Sequence, residues 1–259
     1  MKKLKLILVA IIALAIVTAC SKDKNEPNDN KAETTPICAK WIATGSCDYI
    51  SFEFNSNGNY IVVKKTATKS TGDQNILFGT YENIDNKKIV LSDFGTLIIS
   101  ELADNSISFT IQPISNPDNT ITVNASKQEE IKSSANTDLL CQSWEVVSVG
   151  GDDMTNCYVV LSKAGTYLIS IEFDGEKITG LGTWAWCNDA ENKLAFTIDN
   201  ILDCDGLEII KDIHLTSSSF TGIDMENGSA EEMIMKPVSS LKSARLANKK
   251  TGKKVFGIK

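Results

Sequence analysis

Short runs in which apolar and polar residues alternate with a period of two recur along most of this chain. Ile50, Phe52 and Phe54 alternate with Tyr49, Ser51 and Glu53, and Ile107, Phe109 and Ile111 alternate with Ser106, Ser108 and Thr110. Leu194, Phe196 and Ile198 do the same against Ala195, Thr197 and Asp199. Successive side chains of a strand point to opposite faces, so the pattern predicts strands with one buried and one solvated face. Asn57-Gly58, Asp174-Gly175 and Asp205-Gly206 fall between such runs and supply turn residues that accept positive φ, as hairpins require. Apolar runs counted between turn signals predict about eight short strands in each half, with no amphipathic helix of ~10 or more residues to support a parallel sheet. The predicted fold is all-β, two small antiparallel meander barrels in tandem, with an open sandwich as the alternative.

The tandem arrangement follows from landmarks that recur in the same order. Cys38-Ala39-Lys40-Trp41 matches Cys141-Gln142-Ser143-Trp144, and Gly79-Thr80-Tyr81 matches Gly182-Thr183-Trp184, both at an offset of 103. Gly58-Asn59-Tyr60 meets Gly165-Thr166-Tyr167 at 107, and Ser108-Phe109-Thr110 meets Ser219-Phe220-Thr221 at 111. Turn insertions of a few residues explain the drift. One repeat therefore spans 37–125 and the other 137–239, joined by a polar linker at 126–136 in which a short helix is expected through Glu129 to Ser133. Residues 20–36 carry Asn, Asp, Lys, Glu, Pro27 and Pro36, a composition that stays extended as a tether. From 240 to 259 the chain is basic, with Lys242, Arg245, Lys249, Lys250, Lys253, Lys254 and Lys259 and no acid. That tail reads as a solvated end, with contact to anionic headgroups or polysaccharide as its functional alternative.

The first 19 residues are of another kind. Lys2, Lys3 and Lys5 precede the apolar run Leu6 to Val17, the charged and apolar regions of a secretory signal, too short for a membrane span. Its end, Ile16-Val17-Thr18-Ala19-Cys20-Ser21, resembles the bacterial lipobox. The resemblance implies that the Cys20 thiol takes a diacylglyceryl group and becomes the mature N-terminus. Fatty acid then holds the protein to a bilayer, each buried methylene contributing about 0.8 kcal/mol. Ser21 and the charged stretch Lys22 to Glu26 resemble the sorting region of outer-membrane lipoproteins, some of them surface-exposed, in Bacteroidetes. Removing 1–19 takes away three lysines and no acid, moving the formal charge from -7 to -10, which argues against a nucleic-acid partner.

Within each half, a tryptophan on the first strand is followed by a Gly-Asn-Tyr or Gly-Thr-Tyr turn, a Gly-x-aromatic strand and a closing meander. This arrangement resembles the lipocalin-like repeat domain of Bacteroidetes lipoproteins. Lipocalins proper carry a glycine where Ala39 and Gln142 stand here. The resemblance implies eight-stranded barrels whose interiors hold a small hydrophobic or carbohydrate ligand.

Setting aside Cys20, six cysteines remain: Cys38, Cys47, Cys141, Cys157, Cys187 and Cys204. An even count in an exported chain points to disulfides, although six cysteines allow 15 connectivities. The duplication suggests Cys38–Cys47, Cys141–Cys157 and Cys187–Cys204. No C-x2-C occurs, and His214, the only histidine, lies ten residues past Cys204, so zinc is not expected. Nor is any other metal or cofactor expected: Asp199, Asp203 and Asp205 before Gly206 hold the wrong register for a calcium loop.

Trp41 and Trp144 read as core residues plugging the barrels. Trp184 and Trp186, which share a strand face, are candidate ligand contacts together with Tyr158. His214, between Ile213 and Leu215, falls on the polar face. No nucleophile elbow, zinc-protease helix, phosphate loop or dinucleotide fingerprint occurs, so no catalytic residue is assigned. The functional expectation is a lipid-anchored cell-envelope protein acting as a non-catalytic binding or interaction module. The alternatives are a structural or adhesive surface subunit with filled barrels as spacers, and an enzyme of unrecognised type. Oligomeric state is left open, and cavity shape discriminates among the three.

Overall fold

The computed structural model describes residues 37–65, 76–85, 87–173, 176–198, 201–239 and 255–257. The expected leader, Cys20 and tether, together with the Asp174-Gly175 turn, Asp199 and residues 240–254 and 258–259 of the basic tail, lie outside the described residues. Strands β1 (Lys40–Thr44), β2 (Tyr49–Phe54), β3 (Asn59–Lys64), β4 (Ile76–Asn83), β5 (Lys88–Leu91), β6 (Gly95–Leu102), β7 (Ser106–Pro113) and β8 (Ile121–Lys127) form a closed antiparallel meander in which β1 returns to β8. A second closed meander follows: β9 (Ser143–Val149), β10 (Asp152–Leu161), β11 (Thr166–Phe173), β12 (Glu176–Trp186), β13 (Leu194–Thr197), β14 (Ile209–Leu215), β15 (Phe220–Asp224) and β16 (Glu231–Pro237), which closes on β9. The fold is all-β, as the alternation predicts, and closure leaves neither sheet with a free edge.

Between the barrels lies one helix, α1 (Ala135–Leu140), rather than the helix expected at Glu129–Ser133. Ser134 sets its start: the Ser134 Oγ accepts the Thr137 N–H at 3.0 Å, satisfying one orphan donor of the first turn. Leu140, buried in the second core, anchors its end.

The duplication is visible bond by bond. Trp41 Nε1–H donates to Ile37 O at 2.9 Å, and Trp144 Nε1–H donates to Leu140 O at 2.9 Å, each reaching four residues back. Phe54 N–H donates to Ala39 O and Leu161 N–H to Gln142 O, while Tyr81 N–H donates to Gly58 O and Trp184 N–H to Gly165 O. The recurring glycine of the Gly-x-aromatic strand has a steric cause. Tyr60 stands opposite Gly79, and Tyr167 opposite Gly182, across their strand pairs. A Cβ on Gly79 would come within 3.0 Å of the Tyr60 ring, and one on Gly182 within 2.5 Å of the Tyr167 ring. Only a bare backbone lets each tyrosine lie across its neighbour.

Large side chains pack the interiors. Trp41, Phe52, Phe54, Tyr60 and Phe109 fill the first barrel, and Trp144, Tyr167, Trp184, Phe196 and Phe220 fill the second. The two tryptophans expected in the core are there. Part of the basic tail is there too, contrary to the reading of 240–259 as a solvated end. Val255 and Phe256 are buried in the second core, with the Phe256 ring 4.8 Å from Phe196 and 5.5 Å from Tyr167. Tyr167 Oη donates to Phe256 O at 3.1 Å, and Glu226 Oε1 accepts the Gly257 N–H at 2.7 Å.

Alternation holds in β7, where Ile107, Phe109 and Ile111 face in and Ser106, Ser108 and Thr110 face out. It fails instructively in β2. The register shifts between Tyr49 and Ser51, a bulge that turns Tyr49 inward and leaves Ile50 45% exposed. Ser51 and Glu53, expected on the solvated face, are buried as well. For Glu53 the cause is the neighbouring barrel, whose Ser162 and Thr166 hydroxyls lie beside it. Both barrels belong to one unit, and an apolar cluster of Ile61 with Val160 and Leu168 joins their outer faces.

Candidate functional site

The contact between barrels is close to self-complementary. Lys40 precedes Trp41 in the first repeat, and Lys40 Nζ donates to Thr166 Oγ1 at 2.8 Å, the middle residue of Gly165-Thr166-Tyr167 in the second. Reciprocally, Ser143 precedes Trp144, and Ser143 Oγ donates to Asn59 Oδ1 at 3.0 Å, the middle residue of Gly58-Asn59-Tyr60. Ser143 Oγ also accepts from Asn57 Nδ2 at 2.7 Å. Equivalent residues thus exchange partners, as across a two-fold interface. Ile61 and Leu168 in the apolar cluster are equivalent by the same 107-residue offset.

A pocket of about 380 Å³ opens at this junction. Paired positions from the two repeats line it: Cys38 with Cys141, Asn55 with Ser162, and Ser56 with Lys163. Glu53 lines it too, at the place where the second repeat has Val160. Glu53 is 2% exposed, and neither carboxylate oxygen makes a hydrogen bond of standard geometry. Burial pushes its pKa above the ordinary carboxylate range. The nearby Lys40 charge and the hydroxyls of Ser162 and Thr166 lower it, and the Glu130 charge raises it slightly. The desolvation of a carboxylate at this depth outweighs those contacts, so the neutral acid is favoured. Asn55 Nδ2 and Ser162 Oγ are likewise buried and make no hydrogen bond of standard geometry, Ser162 lying beside Glu53. Four orphaned polar atoms, on three residues, therefore gather around one pocket. Each costs about 1–3 kcal/mol if left unmet.

The sequence-predicted aromatic site is not assembled. Trp184 is in the second core, its Nε1–H donating to Ser162 O at 2.9 Å. Trp186 is half-buried, edge-on to Trp184 at 5.7 Å, and its Nε1–H donates to Thr137 Oγ1 at 2.9 Å. They share a strand face, as spacing predicts. Tyr158 packs elsewhere, against the apolar cluster between barrels. His214 is exposed. Asp203 Oδ1 accepts the Asp205 N–H at 2.9 Å in a local turn, and Asp205 faces Lys193 at 3.8 Å.

Of the three suggested disulfides, Cys187–Cys204 forms, with a Cα–Cα distance of 5.5 Å. Cys47, Cys141 and Cys157 are free thiols, so Cys38–Cys47 and Cys141–Cys157 do not form. Geometry explains both. Cys38 and Cys47 flank opposite ends of β1, whose five residues span about 13 Å at ~3.3 Å per step. Cys38 Sγ instead lies 3.3 Å from Tyr81 Oη. Cys157 stands opposite Val146, well along β9 from Cys141, and belongs to the second core. Burial pushes both the Cys141 and Cys157 thiols up, so neither is a reactive thiolate at neutral pH.

Glu53 is the residue that sequence reasoning missed. Its only signal was an acid between two buried phenylalanines, and strand parity placed it in solvent.

No family model matches the chain, and no curated protein matches it. Among solved structures, the DNA polymerase III β subunit of Thermotoga maritima overlaps 84% of this chain and 60% of its own length, at 10% identity and a TM-score of 0.15. A likeness at that level carries no argument about fold or function.

Proposed function

We propose that this chain is a lipid-anchored cell-envelope protein, a non-catalytic binding module of two lipocalin-like barrels whose ligand seat is the pocket at their junction. The observation that carries the binding role is the gathering of orphaned polar atoms on Glu53, Asn55 and Ser162 around one 380 Å³ pocket. A fold that leaves such groups unmet in one place has a use for a polar occupant there. The packed barrel interiors argue against capture inside either barrel, and a flat sugar stacked on Trp184 is excluded by that ring's burial. The envelope placement rests on the Lys-rich start, the apolar run and the Ala19-Cys20 junction.

Native mass spectrometry of the protein extracted from its own membranes tests the binding role: a retained small molecule is expected, and it is lost in Glu53→Val. Labelled palmitate on wild type but not on Cys20→Ala tests the anchor. A second reading, in which the barrels are spacers for a contact surface elsewhere, draws on the same packed interiors. It becomes the better account if no small molecule is retained.

A further inference from the structure

Resting on the junction as a ligand seat, we infer that its ligand is a small hydroxy-carboxylate, whose carboxylate meets the Lys40 ammonium and whose hydroxyls meet Glu53, Asn55 and Ser162. The charge pattern comes first. Three lysines, Lys40, Lys127 and Lys163, line a pocket in a protein of formal charge -7. Two are already matched: Lys163 Nζ lies 2.6 Å from Asp138 Oδ1, and Lys127 Nζ lies 3.8 Å from Glu130 Oε1. Lys40 has no carboxylate within ion-pair distance among the described residues, only the neutral Thr166 hydroxyl. With Glu53 neutral, one positive charge is left over at the pocket, which a monoanion balances.

The orphaned atoms then fix the rest of the ligand. Asn55 Nδ2 offers donors, Ser162 Oγ both donates and accepts, and a protonated carboxyl does the same. Hydroxyl groups can serve any of these. A purely apolar acid would match Lys40 and leave the orphans unmet, whereas a neutral polyol would do the reverse. The volume, about 380 Å³, falls at the small end of the ~300–1,000 Å³ spanned by ligand pockets, a size suited to a single sugar-acid unit.

The proton on Glu53 is part of the fit. Lys40 from β1, Glu130 from the linker, Ser162 and Thr166 from the β10–β11 turn, and Lys127, Lys163, Cys38 and Cys141 at the pocket are the groups around it. Burial raises the Cys141 thiol, so it keeps its proton at neutral pH. Burial raises the Glu53 pKa, and its ionisation would set a second anion beside the bound carboxylate, so a fall in carboxylate affinity with rising pH that Glu53→Gln abolishes reports that proton.

Isothermal titration of the purified full chain with D-glucuronate, D-glucose and acetate tests the assignment. Glucuronate is expected to bind at least tenfold more tightly than either control. Lys40→Gln should remove its advantage over glucose, Lys40→Arg should retain it, and Glu53→Gln should make its affinity independent of pH; a urea midpoint for each variant shows that it is folded. If glucose binds as tightly as glucuronate, the anion is wrong while the junction seat stands; if acetate does, the hydroxyl contacts are wrong. If none binds and a crystal structure shows only ordered water at Glu53, Asn55 and Ser162, both the ligand class and the seat are overturned.

Discussion

Replacing Glu53 by valine should make the protein more stable while it abolishes binding at the junction. The second repeat already carries Val160 at the equivalent position, buried in the apolar contact between barrels, so the exchange introduces a side chain that the same surroundings accept elsewhere. Glu53 is 2% exposed, and neither carboxylate oxygen makes a hydrogen bond of standard geometry. Removing an unmet buried polar group recovers about 1–3 kcal/mol. For a folded body of about 200 residues, each kcal/mol moves Tm by about 2–4 °C, so a rise of roughly 2–12 °C is expected. Urea unfolding followed by tryptophan fluorescence measures it, with an unchanged m-value showing that the unfolded state is the same. A loss of more than about 1 kcal/mol would refute the reasoning, because it would mean that Lys40, Ser162 and Thr166 satisfy Glu53 and that the glutamate holds the barrels together.

Glu53→Gln should change the pH dependence of stability. A carboxyl whose folded pKa is raised keeps its proton in the native state while the unfolded chain loses it, so wild type should lose stability as pH rises from about 4.5 through the raised folded value, then level off. The difference between wild type and Glu53→Gln, measured by urea midpoints from pH 4 to 9, should carry this slope, and a flat difference would show an ordinary carboxylate. Gly182→Ala should cost more than Gly79→Ala in the same assay, because a Cβ at 182 meets the Thr197 carbonyl at 2.3 Å whereas the nearest atom at 79 is the Ser92 hydroxyl, which can rotate away. Phe256→Ala should destabilise the second barrel by about 3–5 kcal/mol, the range for a buried aromatic ring, and an effect under 0.5 kcal/mol would show that the tail does not occupy that core. Non-reducing peptide mapping should find Cys187 linked to Cys204 and iodoacetamide on Cys47, Cys141 and Cys157 after denaturation, and reducing the one bridge should lower stability by about 3 kcal/mol.

The strands, the duplication and the all-β class were legible because each rests on local rules. Period two reports one buried face, and the pairing of Tyr60 with Gly79 and Tyr167 with Gly182 writes the same steric requirement twice. What parity cannot report is a second partner for the outer face. Glu53 reads as solvated from its alternation, and nothing along the chain says that another barrel covers it. The bulge between Tyr49 and Ser51 reversed two residues for a related reason: an extra residue changes parity without changing composition. Two disulfides were misread because sequence separation was taken as proximity. The short gap from Cys38 to Cys47 is filled by an extended strand, which holds its ends apart. Val255 and Phe256 were lost among lysines, since seven cations dominate the composition of a segment in which two apolar residues decide the packing.

Duplication also accounts for where the site lies. Two barrels grown from one pattern repeat their cores, and a core packed with tryptophan, tyrosine and phenylalanine has little room for a ligand. The junction is the one surface that a single barrel lacks, and its near-symmetry makes each departure conspicuous. Lys40 faces Thr166 where the reciprocal contact has Ser143 with Asn59, Ser56 is matched by Lys163, and Glu53 by Val160. Every one of these differences adds an ionisable group at or beside the pocket, while the positions that keep the two halves alike, Ile61 and Leu168, make the apolar contact. Sameness between repeats holds the barrels together and difference between them supplies the chemistry. Restoring symmetry one position at a time, Glu53→Val, Lys40→Ser and Lys163→Ser, should therefore leave two folded, docked barrels and progressively remove binding. A triple variant that still bound its ligand at wild-type affinity would place the seat somewhere other than the junction.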